Sequence, residues 1–381
     1  MQKYECQGMN IILDHQIFTQ QTYGGISRYF VRLAQCLIAL GEQVDVVAPI
    51  HRNHYLNDLP TALVHGLGLQ MFPPKTGRLA LLANHQLSKL MLSRLDTDIL
   101  HETYYSAKPV SVAAKGRIIT VHDMIHEKYA GDFSPHDPAT KYKRQTVERA
   151  DHVICISHST KNDLCALFDV PDHKVSVVHH GFERFATRAG NDCRSIEVAR
   201  PFLLYVGSRR GYKNFESTLR ALALSPALKN AFDLVAFGGG AFTTAEKELI
   251  SRLGFGPYAV SQLGGDDLVL GQLYSKAHAL IYPSAYEGFG LPPLEAMAHD
   301  CPVITSNSSS MPEVVGDAGV YFDPLDIEAQ AQAITSVVFD EHRRSTLIEA
   351  GRNRLPLFSW ERCALETRAV YKKVLMDKGV R

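Results

Sequence analysis

The chain has 381 residues, 45% of them hydrophobic, and carries 40 basic and 40 acidic side chains for a formal net charge of zero. That length is enough for two domains with separate cores, and the balanced charge excludes the basic footprint of a nucleic-acid binder. Its seven cysteines (Cys6, Cys36, Cys155, Cys165, Cys193, Cys301 and Cys363) are scattered and odd in number, which argues against a disulfide framework or zinc cluster and for a reducing, cytoplasmic setting.

Residues 1–8 are polar and patternless and read as a tail or an earlier start, with the fold opening at Met9. From there short apolar runs alternate with amphipathic stretches, the pattern of parallel α/β sheets. Strands are predicted over 10–13, 43–48, 98–101, 117–121, 152–156 and 174–178, with helices over 26–40, 78–95, 138–150 and 159–168. Residues 182–200 lose periodicity and read as a linker. A second alternation places strands at 201–206, 232–237, 279–282, 302–305 and 320–322, and 360–378 has a helical pattern. The predicted organisation is 1–190, 191–359 and a closing helical segment, 360–381. No apolar run reaches the ~18 residues of a membrane span, and no charged-then-apolar leader is visible.

The most informative stretch runs from Glu287 through Gly288, Phe289, Gly290, Leu291, Pro292, Pro293 and Leu294 to Glu295. It leaves the predicted strand 279–282 and enters a helix. Glycines let backbone amides approach a ligand closely, a proline suits the first helical turn, and the helix N-terminus favours a phosphate. Two carboxylates bracketing such a cradle are suited to accept hydrogen bonds from hydroxyls of a ribose and a hexose. The stretch therefore reads as a sugar-nucleotide site.

Spacing, glycines, proline and preceding strand together resemble the signature of the retaining glycosyltransferases of family 4. The resemblance extends over nearly the whole chain. It implies the GT-B fold: two Rossmann-like α/β/α domains facing a central cleft, with the last helix crossing back to the first domain. In the roles it implies, Glu295 holds the ribose, and Glu287 holds hydroxyls of the transferred sugar and serves catalysis. Phe289, Gly290 and Leu291 offer amides to the diphosphate, as does Gly25 in the loop Tyr23-Gly24-Gly25-Ile26-Ser27-Arg28.

In Gly207-Ser208-Arg209-Arg210-Gly211-Tyr212-Lys213, Lys213 takes the place of the family's phosphate-binding lysine, while Ser208 stands where the family has arginine. Arg209 or Arg210 supplies that charge instead, and the sequence leaves open which; the other reading is a solvated basic turn. Fixed cations there would offset charge growing on the leaving diphosphate. His122, after the strand 117–121, matches the family's active-site histidine and can orient a hydroxyl; Asp123 and Tyr104 are placed with it on the acceptor side. The resemblance also implies that the segment containing Leu263 borders the nucleobase. His180-Gly181 departs from the family's Asn-Gly, so His179 and His180 either line the cleft or pack the linker. Ser157 or Ser159 reads as a helix N-cap.

Asp96-Thr97-Asp98 imitates a metal-binding Asp-x-Asp but lies at a strand start, and neither metal nor cofactor is expected. Helix 78–95 is amphipathic and mildly basic; it either covers a sheet or touches the inner face of the cytoplasmic membrane. The opening Asp14-His15-Gln16-Ile17-Phe18 with its Gly-Gly-Ile-Ser-Arg loop is most similar to bacterial enzymes of O-antigen, capsule and exopolysaccharide assembly. It implies a hexosyl transfer, with GDP-mannose as first donor, to a glycan or lipid-linked acceptor. The alternatives are a sugar-nucleotide epimerase of the same architecture, or an inactive subunit that binds a partner glycosyltransferase.

Overall fold

The computed structural model describes residues 8–69, 76–110, 112–186 and 200–379. The expected tail, apart from Gly8, and most of the expected linker lie outside the described residues. The chain divides into two units, Met1–Gly181 with Ser359–Arg381, and Phe182–Phe358.

The first unit is built on seven parallel strands: β1 (Asn10–Leu13), β2 (Gln43–His51), β3 (Val64–Gly68), β4 (Ile99–Glu102), β5 (Gly116–Val121), β6 (His152–Cys155) and β7 (Val175–Val177), in the order β3-β2-β1-β4-β5-β6-β7. The second has six: β8 (Phe202–Val206), β9 (Asp233–Phe237), β10 (Val260–Leu263), β11 (Ala279–Tyr282), β12 (Val303–Ser306) and β13 (Gly319–Phe322), in the order β10-β9-β8-β11-β12-β13. The central strands are buried along their whole length, as expected where helices cover both sheet faces. Both orders reverse direction beside the first strand of the unit. Loops leaving the carboxyl ends of β1 and β4, and of β8 and β11, therefore diverge, and such switch points are where open α/β sheets bind ligands.

Helix Gly25–Ala39 buries Tyr29, Phe30, Leu33, Ala34 and Leu37, an i, i+4, i+8 stripe, against the first sheet. Burying each of Phe30, Leu33 and Leu37 contributes roughly 1.5–3 kcal/mol. The C-terminal helix Trp360–Asp377, capped by Ser359, joins the core of this first unit through Trp360, Cys363, Ala364, Tyr371 and Val374. The Tyr371 hydroxyl lies 2.6 Å from His101 Nδ1. Gly181 leaves room for this docking, since a Cβ there would lie 2.5 Å from the Trp360 ring.

Helix Gly77–Leu92 covers the sheet with a mixed face, burying Leu92 beside Ile12, Val47 and Leu100, and leaves other apolar residues outside. Its polar residues Asn84 and Ser88 are fully buried, while Leu79, Leu82, Leu87 and Leu90 are 41–66% exposed. Asn84 meets the irregular part of β2, accepting from the Ile50 amide and donating to the Ile50 carbonyl, both at 2.7 Å. Ser88 Oγ lies 3.2 Å from His15 Nδ1.

Candidate functional site

In the second unit the site grows from the switch point. After β8 the chain passes through Gly207 at φ +130° and a short turn, Gly211–Lys213, into the helix Phe215–Leu224. Asn214 takes a left-handed conformation and ties this turn down, its Nδ2 donating to the Pro324 carbonyl at 2.7 Å. The Tyr205 hydroxyl donates to the Ser208 carbonyl at 2.5 Å and lies 3.2 Å from that of Lys213. The backbone carrying Lys213 is thus fixed from two sides.

After β11 the chain runs through Pro283–Tyr286 to Glu287. This carboxylate is buried, and its Oε1 accepts from Lys213 Nζ at 2.6 Å and from the Tyr282 hydroxyl at 2.7 Å. Burial, then the charge of Glu287, pushes the Tyr282 hydroxyl well above its ordinary pKa, so it stays a donor. The Glu287 amide donates to Ser309 Oγ at 2.8 Å, and Ser310 Oγ donates to the carbonyls of Glu287 and Phe289 at 3.0 and 2.8 Å. This serine pair holds the Glu287–Phe289 backbone in place.

Gly290 sits at φ +97° as N-cap of the helix Leu291–Ala298, and a Cβ there would lie 2.3 Å from Met311 Cε. Only glycine fits. Pro292 and Pro293 have no N–H, so the amides at this helix start are those of Phe289, Gly290 and Leu291. Glu295, half-buried on the same helix, accepts from the Tyr274 hydroxyl at 3.0 Å through Oε2, and its carbonyl pairs with His299 Nδ1 at 2.8 Å.

The two arginines differ. Arg209 is buried and fully engaged: Nε donates to Glu246 Oε1 at 2.8 Å, and its terminal nitrogens donate to the carbonyls of Gly238 (2.8 Å), Gly240 (2.9 Å) and Ala241 (3.1 Å). The guanidinium also lies 4.8 Å from the Phe242 ring centroid. Arg209 thus braces the glycine turn after β9, whereas Arg210 is exposed at the start of the Gly211–Lys213 turn. Leu263 ends β10 half-buried; its carbonyl accepts from the Gly238 amide at 3.0 Å and Gln262 Nε2 at 2.7 Å. The segment is a braced strand end next to the same glycine turn.

In the first unit the corresponding loops carry a different set. Gly24 and Gly25 open the helix Gly25–Ala39; Gln21 Oε1 accepts from the Ser27 amide at 3.2 Å, and space beyond Gly25 is open. His122 is buried after β5, edge-on to Tyr29 at 5.2 Å, and its Nε2 has no partner among the described residues. Burial first, then His180 and His101, holds its pKa well below the ordinary value, so it is a neutral imidazole. Asp123 Oδ1 caps the following turn through the Ile125 amide at 3.1 Å. The Tyr104 ring lies 4.7 Å from that of Tyr105, tilted by 33°, and burial pushes the pKa of its hydroxyl up to about 12.

His180 packs between Tyr29 and Trp360 (4.9 and 4.8 Å), its ring nitrogen donating to the Gly181 carbonyl, while His179 is half-exposed beside His158. Of the two, His180 is therefore a core group of its unit. Ser157 caps its helix through the Thr160 amide at 3.0 Å. Asp98 is engaged at the amino-terminal edge of the sheet, by the Asn10 amide at 2.8 Å and Lys115 at 2.6 Å, while Asp96 Oδ2 lies 3.4 Å from Asn10 Nδ2.

Sequence reasoning overlooked three groups. Tyr282, which shares Glu287 with Lys213, looked like an ordinary strand residue. Lys143 reads as one more helix cation, yet it is fully buried and donates to the Asp123 carbonyl at 2.9 Å and Glu127 Oε2 at 2.7 Å. Asp14 is also buried after β1, where its Oδ1 accepts from the Thr103 amide at 2.8 Å and the Thr103 hydroxyl at 2.7 Å. The Lys143 and Asp14 contacts span long sequence separations that no local motif encodes.

A family model described as Glycosyl transferases group 1 matches residues 194–354, and one described as Glycosyltransferase Family 4 matches residues 23–184. The chain is 31% identical over 243 residues to the O-antigen chain mannosyltransferase B of Escherichia coli, a match spanning 61% of this chain and 63% of that protein. It is 26% identical over 328 residues to the O-antigen chain mannosyltransferase RfbU of Salmonella typhimurium, covering 82% of this chain and 87% of that one. Among solved structures, sucrose-phosphate synthase from Thermosynechococcus elongatus superposes with a TM-score of 0.73 at 22% identity, covering 97% of this chain and 100% of the other. With one model on each of its two parallel-sheet units and the GT-B architecture throughout, the chain belongs to the family 4 glycosyltransferases.

Proposed function

We propose that this glycosyltransferase moves mannose from GDP-mannose, with retention of anomeric configuration, to a hydroxyl of a growing glycan or glycolipid in bacterial surface-polysaccharide synthesis. The observation that carries the reading is the Lys213–Glu287–Tyr282 group at the β8/β11 switch point, with the Gly290 helix start beside it. Names of the relatives favour mannose and an O-antigen chain.

In this reading the amides of Phe289, Gly290 and Leu291 receive the diphosphate, and Lys213 and Arg210 offset its charge. Lys213 has three donors; one meets Glu287, and two remain for phosphate oxygens. Because Glu287 Oε1 takes both protein bonds, Oε2 is the atom assigned to a hydroxyl of the transferred sugar. Glu295 takes the ribose hydroxyls. The bond from the sugar C1 to phosphate breaks, the acceptor oxygen bonds C1 on the same face, and the acceptor proton passes to the leaving phosphate. Charge growing on that phosphate is what the fixed cations and amides stabilise. His122, neutral and with Nε2 unpaired, is assigned to orienting an acceptor hydroxyl.

The test is a panel of nucleotide sugars, with nucleoside diphosphate release measured with and without candidate mannosyl acceptors. Release from GDP-mannose that rises with acceptor, yielding an α-linked product, is expected. An epimer or free sugar formed without acceptor would point to an epimerase, and an inert protein to a binding subunit. Activity is expected to persist in EDTA, since cations and helix start carry the phosphate charge; loss on chelation with rescue by manganese would overturn the metal-independent scheme.

The exposed leucines of helix Gly77–Leu92 support a second element of the proposal, contact with an anionic membrane. They lie on a helix without any acidic residue, next to exposed Lys89 and Arg94. Cosedimentation with phosphatidylglycerol vesicles, absent with phosphatidylcholine and lost in a Leu79→Ser/Leu82→Ser/Leu90→Ser variant, is the expected result. Equal binding of variant and parent would refute it.

A further inference from the structure

The loop that precedes Gly24 holds an aromatic ring in an unusual state. Tyr23 is 63% exposed, yet it is held in place: its ring stacks on His54 at 4.8 Å and 7° between planes, and Tyr55 meets it edge-on at 5.5 Å and 85°. With one face on His54 and 63% of the residue exposed, no ring of the described residues covers the opposite face. Tyr258 is more exposed, at 90%, but no ring of the described residues packs on it.

The platform is built from both sides. Asn53, 3% exposed, donates from Nδ2 to the Gln21 carbonyl at 2.8 Å, and its Oδ1 accepts from the Tyr55 amide at 3.1 Å. The His54 amide donates to the Thr22 carbonyl at 3.1 Å. One buried side chain and one backbone bond thus lock the tyrosine loop to the turn Tyr55–Asp58 that follows β2. A rigid aromatic face offers contact area at low cost in side-chain entropy.

We propose that Tyr23, backed by His54 and Tyr55, is a subsite for a pyranose ring of the acceptor glycan. One face of a pyranose presents several C–H groups of slightly positive character, and these stack on the electron-rich face of an aromatic ring. Hydroxyls at the rim of such a sugar need acceptors, and Asn57 and Asp58, both exposed, lie on the same turn as Tyr55. The resemblance assigns the nucleobase to the second unit and only the diphosphate to the Gly25 amide, which leaves the ring for a sugar of the acceptor. The inference rests on the glycosyl-transfer reading above.

The experiment compares Tyr23→Ala, Tyr23→Phe and Tyr23→Trp in the full chain, with GDP-mannose as donor and α-1,2-mannobiose as acceptor. Tyr23→Ala is expected to raise the acceptor KM about tenfold, the equivalent of one aromatic contact, with donor KM and slow hydrolysis of the donor by water unchanged. Phe and Trp keep the face and are expected to keep acceptor KM near the parent value. An unchanged acceptor KM in Tyr23→Ala, an equal loss in Tyr23→Phe, or a rise in donor KM instead would each overturn the subsite. Saturation-transfer NMR of mannobiose on parent and Tyr23→Ala protein makes the same comparison without turnover. If the parent is inert towards GDP-mannose, the donor assignment fails separately while the NMR comparison still decides on Tyr23.

Discussion

Removing the charge of Lys213 separates its structural contribution from the catalytic one proposed for it. Lys213 Nζ is 2.6 Å from Glu287 Oε1, with the two side chains only 17% and 9% exposed. Deleting one partner of a buried pair leaves the other charge uncompensated, at a cost of ~3–5 kcal/mol. The Tyr282 hydroxyl still donates to Glu287 in Lys213→Met, which puts the loss at the low end, about 3 kcal/mol. For a unit of this size that corresponds to a fall in Tm of roughly 6–12 °C. The double variant Lys213→Met/Glu287→Gln removes both charges, and its amide oxygen can still accept from Tyr282. Stability is expected to return to within about 1 kcal/mol of the parent. Activity is not: without the cation the leaving diphosphate loses stabilisation worth about 10²–10³ in kcat. Thermal unfolding followed beside release of GDP reads both quantities. A single variant as stable as the parent, or a double variant with restored turnover, would refute the coupling argued here.

Three further outcomes are expected. Glu295→Ala should weaken free GDP by ~1.5–3 kcal/mol, read by titration calorimetry, because the ribose is common to product and donor; unchanged affinity would remove the ribose assignment. Gly290→Ala should lower stability by about 1–3 kcal/mol and abolish turnover, because φ is +97° and Met311 occupies the Cβ position; parent-like kinetics would contradict the close approach. Burial lowers the pKa values of His15 and His180 to about 4 and of His101 to about 3. Their folded values lie below the unfolded value of ~6.5, so the folded state binds fewer protons. Their contribution is complete above pH 6.5 and falls as pH drops from 6.5 towards 4, by about 1.4 kcal/mol per unit and histidine. The chain has a single tryptophan, Trp360, in the first unit, so denaturant unfolding followed by its fluorescence reads this loss directly; stability that stays flat across the window would exclude it.

Much of the fold was legible because buried parallel strands are short apolar runs. Strands 10–13 and 279–282 appear with the expected ends, and most others within a residue or two. The two strands missed are β3 and β10, both sheet edges. β3 reads Val-His-Gly-Leu-Gly, and Gly66 is required because a Cβ would lie 1.7 Å from the Ala48 carbonyl; such a strand resembles a loop. β10 is half-buried along its whole length and has no continuous apolar run. In the site, what depends on backbone shape was legible: Gly290, the helix start and the spacing of the two glutamates. What depends on long-range pairing was not. Adjacent Arg209 and Arg210 are indistinguishable in sequence, and only the carbonyls of Gly238, Gly240 and Ala241 show which one is engaged.

The same topology places an acid near the switch point in each unit, and their surroundings separate their uses. Asp14, 1% exposed, accepts the amide and hydroxyl of Thr103 across the β1/β4 divide, and burial pushes its pKa up. Its Oδ2 is buried without a partner among the described residues, and Oδ1 is spent on Thr103. It therefore reads as a fastener of the loop that carries Tyr104. Glu287 is bonded instead to a lysine ammonium and a tyrosine hydroxyl, both through one oxygen. A lysine on a flexible stem can share its donors with an arriving phosphate, whereas backbone amides such as that of Thr103 cannot follow a ligand. Strand order thus specifies where an acid stands, while the donors around it decide whether it is fixed by the backbone or held by side chains that can move.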